Sequence, residues 1–179
     1  MIRKALLGDR DMLSELCRST WAEAYTGIGY YTPEVVASYT DKAFAPAKIA
    51  DELADPNTQY FIASVQGKPA GYAKLVEKAP PEHINAPCAA YLERIYLKRE
   101  CHGQGVAQLL MQVVFDEAHA RGYQRLWLSV WELNPRAIAF YLKLGFAEAG
   151  EGEFAVECDG KRYVDRDMIM VRAISPQFA

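Results

Sequence analysis

The sequence predicts a single mixed strand-and-helix domain, α/β or α+β in class, and three observations point to it. The chain has 179 residues, 51 % of them apolar and 24 % charged, a size and balance that bury one core. Strand-like and helix-like hydrophobic periods take turns along it, and near its centre a strand, a glycine-rich turn, a helix and another strand follow one another as a βαβ unit. No internal repeat, low-complexity tract or linker interrupts that order, so one domain is drawn over residues 1–174, with 175–179 as a C-terminal tail.

Ile2 to Leu6 reads as a first strand, and Asp9 as the N-cap of a helix with Leu13, Leu16, Cys17, Trp21 and Ala24 on one stripe. Thr32-Pro33 starts a second helix and Ala45-Pro46 a third, reaching about Leu53, because proline suits the first helical position. Tyr60 to Val65 and Ala70 to Glu77 form a hairpin around Gln66-Gly67-Lys68, and the proline-rich stretch from Lys78 to Pro87 is a loop. Ala89 to Lys98 is apolar on both faces, as a covered central strand would be. The next helix carries Val106, Leu109, Leu110, Val113 and Val114 and stops at Arg121-Gly122. Leu126, Leu128 and Val130 alternate along a further strand, and the helix from Pro135 to Leu144 ends at a C-capping Gly145. Asp159-Gly160 turns a last hairpin between Glu153–Val156 and Arg162–Val171.

Composition narrows the function classes. A formal charge of −3 with a pI near 5.7 argues against a nucleic-acid partner, which calls for a strongly basic face, and fits a small cationic substrate better. Cys17, Cys88, Cys101 and Cys158 lack CxxC or ligand-like spacing, so neither disulfides nor a metal site is expected, and a reducing cytoplasm is the expected location. The N-terminus has no apolar leader and no run approaches the roughly 20 residues that span a bilayer, so no membrane association is expected.

Two segments carry the chemistry. In His102-Gly103-Gln104-Gly105-Val106-Ala107 a strand gives way to a helix through two glycines, which aims backbone N–H groups and the positive end of a helix dipole at one point, as a pyrophosphate requires. A short Gly-x-Gly taken alone is better read as a tight turn with no ligand. Gly105 is followed by Val106-Ala107 rather than the Lys-Ser/Thr of a phosphate-cradling nucleotide loop, and the run does not make a dinucleotide fingerprint. In the second segment, Asn134 before Pro135 is an N-cap by position, and Tyr141 shares a stripe with Ala137, Phe140 and Leu144. Glu93 is a carboxylate inside an apolar strand, which demands either an ion-pair partner or a functional role. Trp127 and Trp131 sit at strand spacing, which suits packing.

The order Glu93-Arg-Ile-Tyr-Leu, His-Gly-Gln-Gly-Val-Ala, Asn-Pro-Arg-Ala-Ile-Ala-Phe-Tyr and Leu-Gly-Phe, from Glu93 to Phe146, resembles the GNAT superfamily of acetyl-CoA-dependent N-acetyltransferases. The segments TWAEAY, YTPEVV, GYAKL, LSVWELN and GKRYVDRDMIM further resemble bacterial spermidine/spermine N-acetyltransferases of the PaiA type. The resemblance implies a mixed, mostly antiparallel sheet of about seven strands with about four or five helices. It implies acetyl-CoA as cosubstrate, no metal, and direct attack by an amine in a ternary complex, so that Cys101 need not be a nucleophile. Carried over to this chain, the pantetheine arm pairs with the backbone of Ile95, Tyr96 and Leu97, and the Leu97 N–H polarises the thioester carbonyl. The phosphates meet the turn at His102, Gly103, Gln104, Gly105, Val106 and Ala107, and Asn134, Ala137, Phe140, Tyr141 and Lys143 complete the cosubstrate site. His102 stands where the family usually has Gln or Arg. Glu93 is the expected general base, through water, and Tyr141 the expected general acid. The acceptor is a small-molecule amine, with a polyamine favoured, and Glu23, Tyr25, Tyr31 and Trp131 are its candidate contacts. A peptide or other small amine, or a non-catalytic acetyl-CoA-binding regulator, are the alternatives, and a homodimer through the last strands is compatible with the family.

Overall fold

The structure is a computed structural model that describes residues 1–174; the tail drawn at 175–179 lies outside them. Seven strands form one sheet: β1 (Ile2–Lys4), β2 (Thr58–Val65), β3 (Lys68–Val76), β4 (Ala89–Leu97), β5 (Arg125–Trp131), β6 (Ala147–Cys158) and β7 (Lys161–Ala173). Their order is β1-β2-β3-β4-β5-β7-β6. Every pairing is antiparallel except β4 with β5, which the crossover helix of the βαβ unit makes parallel.

Helices cover both faces. α1 (Arg10–Tyr25), α2 (Pro33–Ala43) and α3 (Pro46–Ala54) pack on one side, where Leu13, Leu16, Cys17, Trp21, Phe44 and Ile49 are buried against Tyr60, Ile62 and Tyr72. α4 (Val106–Ala120) and α5 (Pro135–Lys143) cover the other, where Leu110, Met111 and Val114 meet Phe61, Ala73, Leu92, Leu126 and Leu128. The turns follow the expected chemistry. Gln66 and Gly67, and again Asp159 and Gly160, all have positive φ, which is the geometry of two-residue hairpins between twisted strands. Thr32 caps α2 by accepting from the Val35 amide, and Gly145 follows α5 at φ +82°.

Several details depart from expectation. β1 ends at Lys4, because Arg3 and the Leu6 amide are both drawn to the Asp9 carboxylate. Asp9 therefore closes a single 3₁₀ turn and does not cap α1 with its side chain. Ala24 is exposed, and Thr20 takes the buried place on that stripe, its hydroxyl satisfied by the Leu16 carbonyl at 2.7 Å. Leu109 is 60 % exposed, since three neighbouring positions already fill the core side of α4. β6 runs from Ala147 rather than from Glu153, because β7 is long enough to pair with all of it. The apolar β4 is central but uncovered along half its length, and Glu93 to Leu97 are only half-buried.

One glycine of β3 is set by packing. An added Cβ at Gly71 would lie 2.2 Å from Leu97 Cδ2 and 2.5 Å from the Tyr96 carbonyl oxygen, because Gly71 faces Leu97 across the closely spaced, non-hydrogen-bonded rung of the ladder. The backbone oxygen cannot move without shifting β4. Gly71→Ala is expected to lower stability by about 2 kcal/mol, the usual cost of overpacking. Denaturant unfolding checks it, and an unchanged midpoint would show that β4 is not fixed in place by this contact.

Candidate active site

β4 and β5 pair only from Ala89↔Arg125 to Tyr91↔Trp127, and then separate. β5 goes on pairing with β7 as far as Trp131↔Asp167, while β4 goes on pairing with β3. The cause lies in β4. Arg94 faces Lys74 and Leu92 faces Leu75, so Glu93 is one residue too many for its partner strand and forms a bulge. A bulge bends its strand and increases the local twist, which here carries β4 away from β5. Past the bulge, the Lys98 amide donates to the Ala70 carbonyl at 2.8 Å. Amides alternate in direction along a strand, so those of Ile95 and Leu97 face the open edge on the β5 side.

Beyond that edge, on the α4 and α5 side, lies a cavity of about 570 Å³. Its floor is Ile95, Tyr96 and Leu97, one wall is the turn into α4, and the other is Asn134, Arg136, Ala137, Phe140 and Tyr141 of α5 and its approach. Gly103 and Gly105 both sit at φ +77° with open space where a Cβ would be, so they are glycines for the turn's backbone path. Gly105 occupies the N-cap position of α4 and caps with no side chain. The first amides of a helix have no intrahelical acceptor, and with the dipole behind them they attract an anion. Asn134 caps α5, its Oδ1 accepting from the Ala137 amide at 3.1 Å. A cradle of backbone donors beside an open strand edge fits a pyrophosphate joined to an amide-bearing arm.

A second cavity, of about 300 Å³, opens on the α1 and β7 side of the gap. Trp21, Tyr25, Tyr91 and Trp131 supply aromatic walls, and Glu93, Asp165 and Asp167 supply carboxylates. The two cavities share Ile95, Tyr96, Asn134, Ala137 and Tyr141 as lining residues. Molecules held one in each would therefore meet beside Tyr141. Burial pushes the Tyr141 phenol well up from its ordinary value, so it keeps its proton throughout the physiological range.

Glu93 belongs to a buried charge network. Its Oε1 accepts from Lys74 Nζ at 2.8 Å and lies 3.1 Å from Arg94 Nη2. Lys74, only 4 % exposed, also pairs with Glu52 of α3 at 3.0 Å, and Glu52 accepts from the Tyr60 hydroxyl. Burial opposes the charge on Glu93, but the guanidinium of Arg94 and the ammonium of Lys74 outweigh it and hold the carboxyl below its ordinary value. Asp167 is the contrasting case. Burial, together with the like charges of Asp165 and Glu132, pushes its carboxyl up despite a 2.6 Å hydrogen bond from Ser129 Oγ.

The structure brings most of the expected residues together and displaces a few. Glu23 lines the larger cavity rather than the acceptor side, and its carboxylate accepts the Arg99 amide at 2.8 Å, which ties α1 to the turn before α4. Tyr31 is core: it is 1 % exposed, packs edge-on against Trp21 and Trp131, and donates its hydroxyl to Asp165. Tyr25 and Trp131 do line the acceptor-side cavity, and the Tyr25 hydroxyl is 3.3 Å from that of Tyr96. Gln104 turns away to donate to the Glu100 carbonyl at 2.8 Å, and Lys143 is exposed on the last turn of α5, outside both cavity linings. The His102 ring contacts the Leu97 carbonyl at 3.2 Å, so it braces the turn against β4. Asp165, Asp167, Ser129, Tyr91, Trp21, Arg99 and Arg136 also line the cavities, although the sequence did not mark them as site residues. Two acids at i and i+2, and so on one face of a strand, were the available signal for the first pair.

Comparison with known proteins agrees with this geometry. The profile of the family described as acetyltransferase (GNAT) matches residues 15–146. A protein of Lactobacillus delbrueckii subsp. lactis, named an uncharacterised N-acetyltransferase, is 30 % identical over 145 residues, covering 80 % of this chain and 82 % of the relative. A Mycobacterium tuberculosis protein of the same description is 32 % identical over 142 residues, covering 79 % and 84 %. Among solved structures, the PaiA N-acetyltransferase of Thermoplasma acidophilum in complex with coenzyme A superposes with a TM-score of 0.74 at 23 % identity, over 97 % of this chain and 98 % of that one.

The charge network yields a prediction. A carboxyl whose folded pKa lies below its unfolded value, about 4.3 for Glu, adds stability above that value and loses it as pH falls through the folded one. Lys74→Met should cost about 3 kcal/mol at neutral pH, since it strips two half-buried carboxylates of a shared cation, and should flatten the acid-induced loss of stability, because a Glu93 no longer held below its unfolded value gives up less on protonation. Urea unfolding at several pH values reads both effects, and a variant with the wild-type acid profile would show that Lys74 does not hold Glu93 ionised.

Proposed function

The chain belongs to the acetyltransferase (GNAT) family and is an acetyl-CoA-dependent N-acetyltransferase, and from that premise we propose how its own residues carry the transfer. The carrying observation is that two cavities share Tyr141 in their lining, in the gap where β4 leaves β5. Acetyl-CoA supplies an acetyl thioester, whose acyl carbon an unprotonated amine attacks directly.

The amides of Val106 and Ala107 at the head of α4 and the turn through Gly103 and Gly105 hold the phosphates, with Arg99 and Arg136 as nearby cations. The open edge of β4 at Ile95 and Leu97 hydrogen-bonds the arm, and the Leu97 N–H polarises the acyl oxygen, where a fixed donor is most effective. His102 maintains the turn through its contact with Leu97. Proximity supplies much of the rate, since the gap aligns the two partners before reaction.

Two protons must move. An aliphatic amine is mostly charged at neutral pH, with a reference value of about 10.4, so it has to lose a proton before attack. Glu93, held ionised by Lys74 and Arg94 and lining the acceptor-side cavity, receives that proton through water. The new bond joins amine nitrogen to acyl carbon, the carbon–sulfur bond breaks, and Tyr141 gives its proton to the departing sulfur and is reprotonated, through water, by the second proton that the new amide nitrogen sheds. Burial keeps the phenol protonated but makes it a weaker acid, so it gives up its proton only as the carbon–sulfur bond breaks and charge builds on sulfur. The acceptor itself is a cationic aliphatic amine, with spermidine and spermine as the favoured class, because the aromatic walls and carboxylates of the smaller cavity suit ammonium groups on a flexible chain.

Thiol release from acetyl-CoA against spermidine, spermine, putrescine, an aminoglycoside, amino acids and short peptides tests the acceptor class. Selective turnover of polyamines is expected, and turnover of peptides alone would discard that class. Tyr141→Phe should lower kcat by about 10²-fold or more with little change in the KM for acetyl-CoA, as loss of a proton donor does. Equal turnover with weakened acetyl-CoA binding would remove the assignment. Glu93→Gln should move the acid limb of the pH–rate profile to higher pH, where more of the amine is already free; steady-state rates from pH 6 to 10 decide it, and an unmoved profile would leave Glu93 structural.

A further inference from the structure

The carboxylates of the smaller cavity are not equivalent, and the difference lies in their partners. Glu93 is matched by Lys74 and Arg94. Asp165 and Asp167 have no lysine or arginine within ion-pair distance among the described residues, although they are 6 % and 9 % exposed. They stand at i and i+2 on β7 and so point to one face, and both line the cavity. Each is half-satisfied. The Tyr31 hydroxyl donates to Asp165 Oδ2, and Ser129 Oγ donates to Asp167 Oδ2 at 2.6 Å. Among the described residues no hydrogen bond of ordinary geometry reaches either Oδ1, the buried Tyr30 hydroxyl beside Asp165 is itself without a partner, and both carboxylates border open space. Two buried like charges with free lone pairs are costly to keep unless a cation comes to them. The aromatic rings of Tyr25 and Trp131 in the same cavity favour that cation further.

Position says which cation. In the sheet order β4-β5-β7, Asp167 lies two strands from β4, across the gap from the open edge that faces the acyl carrier, so a cation held there is not the one under attack. We propose that Asp165 and Asp167 form a subsite for a second, non-reacting ammonium group of the acceptor, so that this enzyme selects linear amines carrying at least two positive charges. The assignment rests on the acceptor-side reading of this cavity. Tyr31, although core, then acts as a positioning residue that fixes Asp165 from behind. Ser129 does the same for Asp167 and leaves its second oxygen for the ligand.

The test titrates the full-length protein, with coenzyme A present, with 1,4-diaminobutane, spermidine and n-butylamine, and follows tryptophan fluorescence. Trp21 and Trp131 line the cavity and report binding without any need for turnover. The diamine should bind at least about ten-fold more tightly than n-butylamine, and Asp167→Asn should erase most of that advantage, as loss of a desolvated charge partner does. Equal affinity for n-butylamine and the diamine in the wild-type protein would overturn the subsite, and so would a diamine advantage that survives in both Asp167→Asn and Asp165→Asn. The wild-type comparison decides the matter even where a variant fails to fold. Acetylation of n-butylamine as efficiently as of the diamine would likewise overturn the subsite while keeping the amine-acceptor reading. Tight, Asp167-dependent diamine binding with no acetylation would keep the subsite and discard the acceptor reading.

Discussion

Everything functional in this molecule depends on β4 leaving β5 after three paired residues. Within a continuous sheet, the amides and carbonyls of both strands would be spent on each other. The separation leaves β4 from Leu92 onward and β5 from Leu128 onward with free edges that face each other, and it opens a passage between them. An extended arm can pair with one edge while an amine enters from the neighbouring cavity. The shared lining at Tyr141, Asn134 and Ala137 is the consequence of that passage.

Holding two parallel strands apart needs reinforcement, and the structure supplies it on both sides. On the β3 side, the bulge at Glu93 is tied by Lys74 and Arg94, and through Lys74 and Glu52 to α3. A buried network of this kind adds little net stability over an apolar core but penalises any rearrangement that separates its members, so it defines one register for the bulge. The absence of a Cβ at Gly71 lets β3 close up on β4 just beyond. On the β5 side, Tyr91 stacks on Trp127 with ring centroids 3.9 Å apart, at the last paired rung, and the Trp127 indole donates to the Lys78 carbonyl at 2.8 Å. The fork therefore has a fixed vertex.

Charge is distributed across the gap with the same division of labour. The α4 side presents unpaired backbone amides and two arginines, the chemistry for a phosphate-rich partner. The β7 side presents acids and aromatic rings, the chemistry for a cation. Each partner is drawn to its own side of the gap.

Local signals in the sequence were enough for the element order, the two hairpin turns, the helix starts at Thr32-Pro33 and Asn134-Pro135, the glycine turn before α4 and the family itself, because glycine, proline and capping residues act on their immediate neighbours. They also singled out Glu93 as a carboxylate needing a reason, though not which one. Tertiary structure alone decided the rest. The bulge depends on a register between β3 and β4, and the acids of β7 acquire meaning only when β5, Tyr31 and Trp131 surround them, from up to 134 residues away in the case of Tyr31 and Asp165. Likewise Glu23 and Tyr31, plausible acceptor contacts by type, were moved out of that role by an amide and a carboxylate that no local pattern predicts. Local chemistry sets what a segment forms. Which side chains share a cavity is set by strand order and splay, and those are properties of the whole sheet.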